Sequence, residues 1–249
     1  MWTPGALRCE AEGFAGELWR MVEAQHRTST RKLVDSLAEQ AVLEAAIEDS
    51  KPAVPDTCRH LHPLLFTPFR YGPYRHGSRF RRVHQRDGAF YAAPEVDVSV
   101  AETAFHALLF FREAPEAKLP ARPSERTAFR VAVATASAVD LAAPPFDRDR
   151  PLWTHPTDYT ATQSLADAAR AAAVGLILYE SVRDPGHRAA AALLDCRGFA
   201  ARQPDRSESW RLLVRADGVE AWCEFPDRVL EFRASDFGAD PRLGAALRR

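Results

Sequence analysis

Between Thr57 and Arg86 the chain carries seven arginines, Arg59, Arg70, Arg75, Arg79, Arg81, Arg82 and Arg86, and no acidic residue. Arginine keeps its charge at any working pH and offers a planar fork that holds anionic oxygens two at a time. The surrounding stretch, Leu64 to His106, adds Gly72, Gly77 and Gly88, which permit tight turns and close backbone approach. It also adds Tyr71, Tyr74 and Tyr91, flat faces on which a base can stack. The stretch reads in two ways: as the wall of an anion-binding pocket, or as a solvated basic loop with structural tyrosines.

Global composition does not choose between them. With 249 residues, 46% hydrophobic and 27% charged, the chain has the make-up of an ordinary globular protein. A formal net charge of -1 gives no overall attraction to nucleic acid or to a membrane surface, so any such attraction must be local. No run approaches the roughly 20 apolar residues of a membrane span, and Glu10, Glu12, Glu17 and Glu23 are out of place in a signal peptide. A soluble cytoplasmic protein is expected. Cys9, Cys58, Cys196 and Cys223 form no CxxC pair, which suits reduced thiols. His60 and His62 in CRHLH lack a second ligand cluster, so they read as loop residues and no metal is expected.

In chain order, Phe14 to Ile47 reads as a helical hairpin: Leu18, Met21, Val22 and Gln25 share one face, and Leu33, Leu37, Val42 and Leu43 mark a second helix, with Thr28, Ser29 and Thr30 between them. A proline-bearing connector, Lys51 to Pro63, follows. Leu64 to Phe69 suits a strand, and so does Ala89 to Ala93. A helix is predicted from Val100 to Arg112 with Asp97 or Ser99 as its cap, then a loop to Thr127 and a strand through Phe129, Val131 and Val133. Ala161 to Ala173 reads as a helix ended by Gly175, and Leu176 to Tyr179 as a buried strand delivering Glu180 and Ser181. Ala189 to Leu194 suits another strand, and a hairpin turns at Ala216, Asp217 and Gly218. Strands and helices mix without regular alternation, which makes the fold class α+β.

Two residues carry two readings each. Ser99 to Glu102 fits a capping box, in which the glutamate merely reaches back to the helix start. Alternatively, Glu102 is a carboxylate kept ionised by nearby arginines, suited to a developing sugar cation or a ribose hydroxyl. Ser181, in YESVRDPG, either caps a turn or contributes to a site; nothing around it resembles a GxSxG elbow.

Arg70 and Tyr71 in FRYG, Arg79 in GSRF, Tyr91 in AFYAA, Glu102 in AETAFH and Ser181 in YESVR, taken in this order, resemble the RES domain, over roughly Leu64 to Leu194. The resemblance implies a fold related to ADP-ribosyltransferases, with residues 1–55 as an N-terminal helical extension and 56–249 as an NAD-binding catalytic domain. It implies a toxin that splits NAD with inorganic phosphate into nicotinamide and ADP-ribose 1″-phosphate, or else a protein ADP-ribosyltransferase. NAD and phosphate are then substrates rather than cofactors. The implied partner is an Xre-like antitoxin, with no direct nucleic-acid or membrane contact, and self-association is open. The implied roles are Arg70 and Arg79 on phosphates, Tyr71 and Tyr91 along the nicotinamide and ribose, Glu102 on the ribose cation, and Ser181 orienting the nicotinamide ribose or amide. The rival from another class is a nucleic-acid-binding module using the arginine loop on backbone phosphates.

Overall fold

A computed structural model describes residues 2–24, 33–70 and 75–243. A short helix α1 (Pro4–Glu10) leads into strand β1 (Glu12–Glu23), followed by α2 (Leu37–Asp49), α3 (Pro63–Arg70), β2 (Phe90–Ala92) and the long helix α4 (Val96–Glu113). Then come β3 (Ser124–Asp140), α5 (Arg150–Trp153), α6 (Thr160–Ala171), β4 (Leu176–Glu180), β5 (Ala189–Leu193), β6 (Arg206–Val214), β7 (Gly218–Cys223) and β8 (Arg228–Arg233). The strands join in one sheet of order β2-β5-β4-β3-β6-β7-β8, with β1 antiparallel on β3. Only β3 and β4 run parallel among the paired strands described, so the expected α+β class holds.

β1 does more than add a strand. Trp19 N–H donates to the Ala93 carbonyl at 2.7 Å and Ala93 N–H returns to Trp19 at 2.8 Å, beside the end of β2. The path β1-β2-β5-β4-β3-β1 therefore closes on itself. Inside it, the alternate residues Phe129, Val131 and Val133 of β3 meet Leu18, Phe90, Leu176, Ala191 and Leu193, all buried. The opposite faces are covered too: Ile177, Tyr179, Ala190 and Ala192 pack under Leu165, Ala166 and Ala169 of α6. On the remaining face α4 lays Ala101, Ala104, Phe105 and Leu108 against Trp210, Leu212, Val219 and Ala221 of β6 and β7. Each large apolar side chain so enclosed contributes about 1.5–3 kcal/mol.

The predicted N-terminal helical hairpin is corrected here: Glu12–Glu23 is a strand, not a helix. Its apolar residues fit helical spacing, but Leu18 and Trp19 are adjacent and both buried on opposite faces, which only a strand between two cores allows. The 17-residue β3 supplies the edge it pairs with. Gln25 and Thr28 to Thr30 lie outside the described residues. The second predicted helix exists as α2, started by a true capping box between Ser36 and Glu39, but it buries no residue. The predicted strand at Leu64 to Phe69 is also corrected, because it is the helix α3, burying Leu65. A short apolar run fits a strand or a buried helix equally well.

Helix α4 begins a turn earlier than predicted, so Ser99 lies inside it rather than at its cap. The Ser99 hydroxyl donates to the Trp19 carbonyl at 2.8 Å, fastening α4 to β1. No Ser99–Glu102 capping box forms, which leaves Glu102 available for another contact. Helix α6 ends through Ala173 at φ 58° rather than at Gly175. The expected reduced cysteines are corrected as well: Cys58 and Cys196, 138 residues apart, are joined by a disulfide, while Cys9 and Cys223 are free thiols. Sequence spacing carries no sign of that pairing.

The loop after α3 returns so tightly that a Cβ on Gly88 would lie 2.2 Å from the Pro68 carbonyl oxygen and 2.6 Å from Phe69 Cα. Backbone cannot yield as a side chain does. Gly88→Ala is expected to destabilise the fold by about 1–3 kcal/mol, read as a lowered denaturant midpoint at unchanged slope. A midpoint equal to wild type would show that α3 is free to move away.

Candidate active site

Between α4, β1, β2 and the loops after β4 and α5 lies a cavity of about 830 Å³. Its lining includes five arginines, Arg20, Arg79, Arg126, Arg183 and Arg242, against two glutamates, Glu23 and Glu102. Tyr91, Tyr159 and Tyr179 supply aromatic surface, and Phe110, 58% exposed, stands on the same helix two turns beyond Glu102. A concave surface with excess fixed positive charge and aromatic faces suits an anionic ligand with planar rings.

Glu102 sits one turn beyond the Ser99–Trp19 contact, so β1 sets its height in the wall. Glu102 is half-buried in the cavity wall, and desolvation by its surroundings pushes its pKa up from 4.5. The hydrogen bond from Ser181 and the charges of Arg79 and Arg183 oppose that rise without cancelling it. The sequence reading expected arginines alone to hold the carboxylate low; desolvation outweighs them. Ser181, delivered by β4 as predicted, is fully buried. Its hydroxyl donates to Glu102 Oε1 at 2.8 Å and accepts from the Arg183 backbone N–H at 3.3 Å. Ser181 thus holds one oxygen of the carboxylate from behind.

Arg79 reaches the cavity but is 8% exposed, and its guanidinium donates to the carbonyls of Trp153 at 2.6 Å and His155 at 3.1 Å while lying 4.8 Å over the Tyr159 ring. Burial lowers its pKa, yet arginine stays charged. Tyr91 pins the loop that carries Arg79: its phenol oxygen exchanges a 2.8 Å hydrogen bond with Ser78 and accepts from Phe80 N–H at 3.1 Å. Burial pushes the Tyr91 phenol up and the Tyr179 phenol further, the latter helped by Glu102. Both stay neutral near pH 7.

Arg70, expected in the pocket, is elsewhere. At the end of α3 it binds Glu48 Oε1 at 2.5 Å and the Pro52 carbonyl at 2.6 Å, tying α3 to α2 and the connector. Three acceptors there, the third being the Glu48 carbonyl, engage its fork, and it is absent from the cavity lining. Tyr71 lies outside the described residues. Of the other loop arginines, Arg59 pairs with Asp56 and Arg82 with Asp167, while Arg75 and Arg86 are exposed. His62 accepts from Leu64 N–H, and among the described residues no group of three His, Cys, Asp or Glu is placed to hold a metal ion. Nor is any described helix long and apolar enough to cross a membrane.

Sequence reasoning missed Arg20, Arg126, Tyr159, Tyr179, Arg183 and Arg242. Arg20 carried a signal, a lone cation within the apolar run LWRMV, and its guanidinium lies 4.8 Å over Phe90. Arg183 sits two residues beyond Ser181. Arg242 and Tyr159 had no local signal, because separate loops bring them in.

The curated proteins contain no match to this chain. Among solved structures, a chain of the M. tuberculosis MbcT-MbcA toxin-antitoxin complex is similar, at 12% identity, covering 82% of this chain and 89% of that one, with a TM-score of 0.49. Residues 55–215 match the model of the RES domain, a span that holds the Arg79 loop, the helix of Glu102 and the strand that delivers Ser181. On that match, which takes in more than half of its residues, the chain belongs to the RES domain family.

Proposed function

We propose that this protein is a toxin that degrades NAD by phosphorolysis, giving nicotinamide and ADP-ribose 1″-phosphate. The observation that carries the reading is one desolvated carboxylate, Glu102, in a cavity where arginines outnumber glutamates. NAD presents matching charges: a pyrophosphate for the arginines and a cationic nicotinamide riboside for the carboxylate. As the bond from C1″ to the nicotinamide nitrogen breaks, its electron pair leaves with nicotinamide and positive charge moves onto the ribose. A carboxylate already partly desolvated gains most from a cation forming beside it, and needs little reorganisation to do so. Phosphate oxygen then forms the new bond to C1″.

In this reading Arg20 and Arg79, with Arg126 and Arg242, bias the cavity toward pyrophosphate and incoming phosphate. Tyr91 and Tyr159 line the path of the sugar and ring. Ser181 keeps one Glu102 oxygen turned to the site. Catalysis is then mainly positioning and electrostatics. The partner proposed is an antitoxin protein that covers the cavity, for which exposed Phe110 at its rim offers an apolar contact.

Mass spectrometry of NAD incubated with and without phosphate tests the chemistry. ADP-ribose 1″-phosphate formed only with phosphate is the expected product; label transferred to protein would replace the proposal with ADP-ribosyl transfer, and salt-sensitive nucleic-acid binding with intact NAD would replace it with the binding-module reading. Arg20→Ala is expected to lower kcat/KM by about 10–100-fold, the loss of one charged hydrogen-bonding partner, while Arg70→Ala leaves it within about a factor of two.

The pH dependence follows from Glu102. Because its folded pKa lies above 4.5, kcat/KM should fall on the acid side through an apparent pKa higher than that. Ser181→Ala removes a hydrogen bond to the ionised form, so it should move this limb to still higher pH. An unmoved limb would take Glu102 out of the titration.

Stability gives the converse signature. The folded state binds the Glu102 proton more tightly than the unfolded state, so the cost of ionising it is absent below pH 4.5 and full above the raised pKa. Glu102→Gln should abolish turnover yet melt higher than wild type at neutral pH. Each 1 kcal/mol gained would read as about 2–4 °C. A folded Glu102→Gln enzyme with full turnover would remove the carboxylate from the mechanism.

A further inference from the structure

The segment after β8 lies beyond the matched RES span, yet it enters the machinery behind Glu102. Asp240 is 2% exposed and accepts from two arginines. Arg183 Nη1 reaches Asp240 Oδ2 at 2.5 Å; Arg242 donates Nη2 to Oδ2 at 2.8 Å and both its Nε and backbone N–H to Oδ1 at 3.0 Å. A buried carboxylate so fully engaged fixes its partners in turn.

Arg183 is the partner that matters. Its other terminal nitrogen, Nη2, donates to the Pro156 carbonyl at 2.5 Å and to the Tyr159 hydroxyl at 2.7 Å, and its guanidinium lies 4.0 Å over the Phe105 ring of α4. With the side chain held on three sides, the Arg183 backbone N–H points at Ser181 Oγ, whose proton goes to Glu102. The chain of contacts runs from Asp240 to Arg183, to Ser181, to Glu102, and no other described carboxylate pairs with Arg183.

We infer that Asp240 is a positioning residue for the Ser181–Glu102 pair, acting through Arg183 from a C-terminal segment outside the RES match. Asp240 touches neither substrate nor the reacting atoms. Its loss leaves Arg183 with a buried, uncompensated charge, which draws the 181–183 turn toward solvent and releases the hydrogen bond that orients Glu102.

This inference rests on the NAD reading for its kinetic test, and on geometry alone for its structural one. In the full chain, Asp240→Asn keeps an acceptor oxygen and the residue's shape, so it safeguards folding, whereas Asp240→Ala removes both. Expected kinetics are a kcat for NAD lowered on the order of 100-fold in Asp240→Ala, as for an angstrom-scale misplacement, with KM nearly unchanged and partial recovery in Asp240→Asn. A purely structural role would lower the melting temperature of both variants and leave kcat per folded molecule intact, which overturns the inference. Crystal structures of wild type and Asp240→Asn decide the matter even if the wild type leaves NAD uncut. A Ser181–Glu102 hydrogen bond kept at its wild-type length in a variant whose Arg183 has moved would also overturn it.

Discussion

The cavity depends on holding one carboxylate out of bulk water without neutralising it completely. A buried acid left alone protonates, and one ringed tightly by cations becomes an inert ion pair. Glu102 sits between these limits because its supports are indirect. Ser181 gives it a single neutral hydrogen bond, and the nearest arginines spend their donors on other groups: Arg79 on the carbonyls of Trp153 and His155, Arg183 on Asp240, Pro156 and Tyr159. Their charges act on Glu102 through space, while their hydrogen bonds build the wall.

Two pieces outside the matched span make that wall possible. From the N-terminal side, β1 closes the sheet on Ala93, presents Arg20 to the cavity and receives the Ser99 hydroxyl that fastens α4. From the C-terminal side, the segment at Asp240 engages Arg183 and adds Arg242 to the lining. The matched core thus carries Glu102 and Ser181, and the flanks supply contacts to the elements that hold them.

Much of this was legible locally. Phe129, Val131 and Val133 announced β3 by their alternation, and the apolar run before Ser181 announced β4, since period-two burial is a local property. Glu102 and Ser181 were picked out, but their contact, across 79 residues, was not. What failed had non-local causes. Glu12–Glu23 became a strand because β3 and Ala93 pair with it, and no window within it contains those partners. Arg70 read as a ligand-binding arginine because Glu48 and the Pro52 carbonyl, its actual partners, lie on a segment that sequence pattern alone leaves unplaced. The Cys58–Cys196 bond was invisible for the same reason.

The arginines carry the general point furthest. A dense arginine run in a sequence suggests an anion site, yet in this fold the run from Arg59 to Arg86 sends only Arg79 to the cavity lining, pairs Arg59, Arg70 and Arg82 with carboxylates away from it, and leaves Arg75 and Arg86 exposed. The remaining cavity arginines come singly from β1, β3, the turn after β4 and the C-terminal segment. Clustering in sequence would place like charges side by side, where they repel at short range. Drawing one arginine from each of several elements spreads the positive charge around the cavity, and lets each guanidinium be anchored by its own neighbours. The charge of the cavity is assembled by the fold, and the sequence run that first draws the eye contributes one arginine to it.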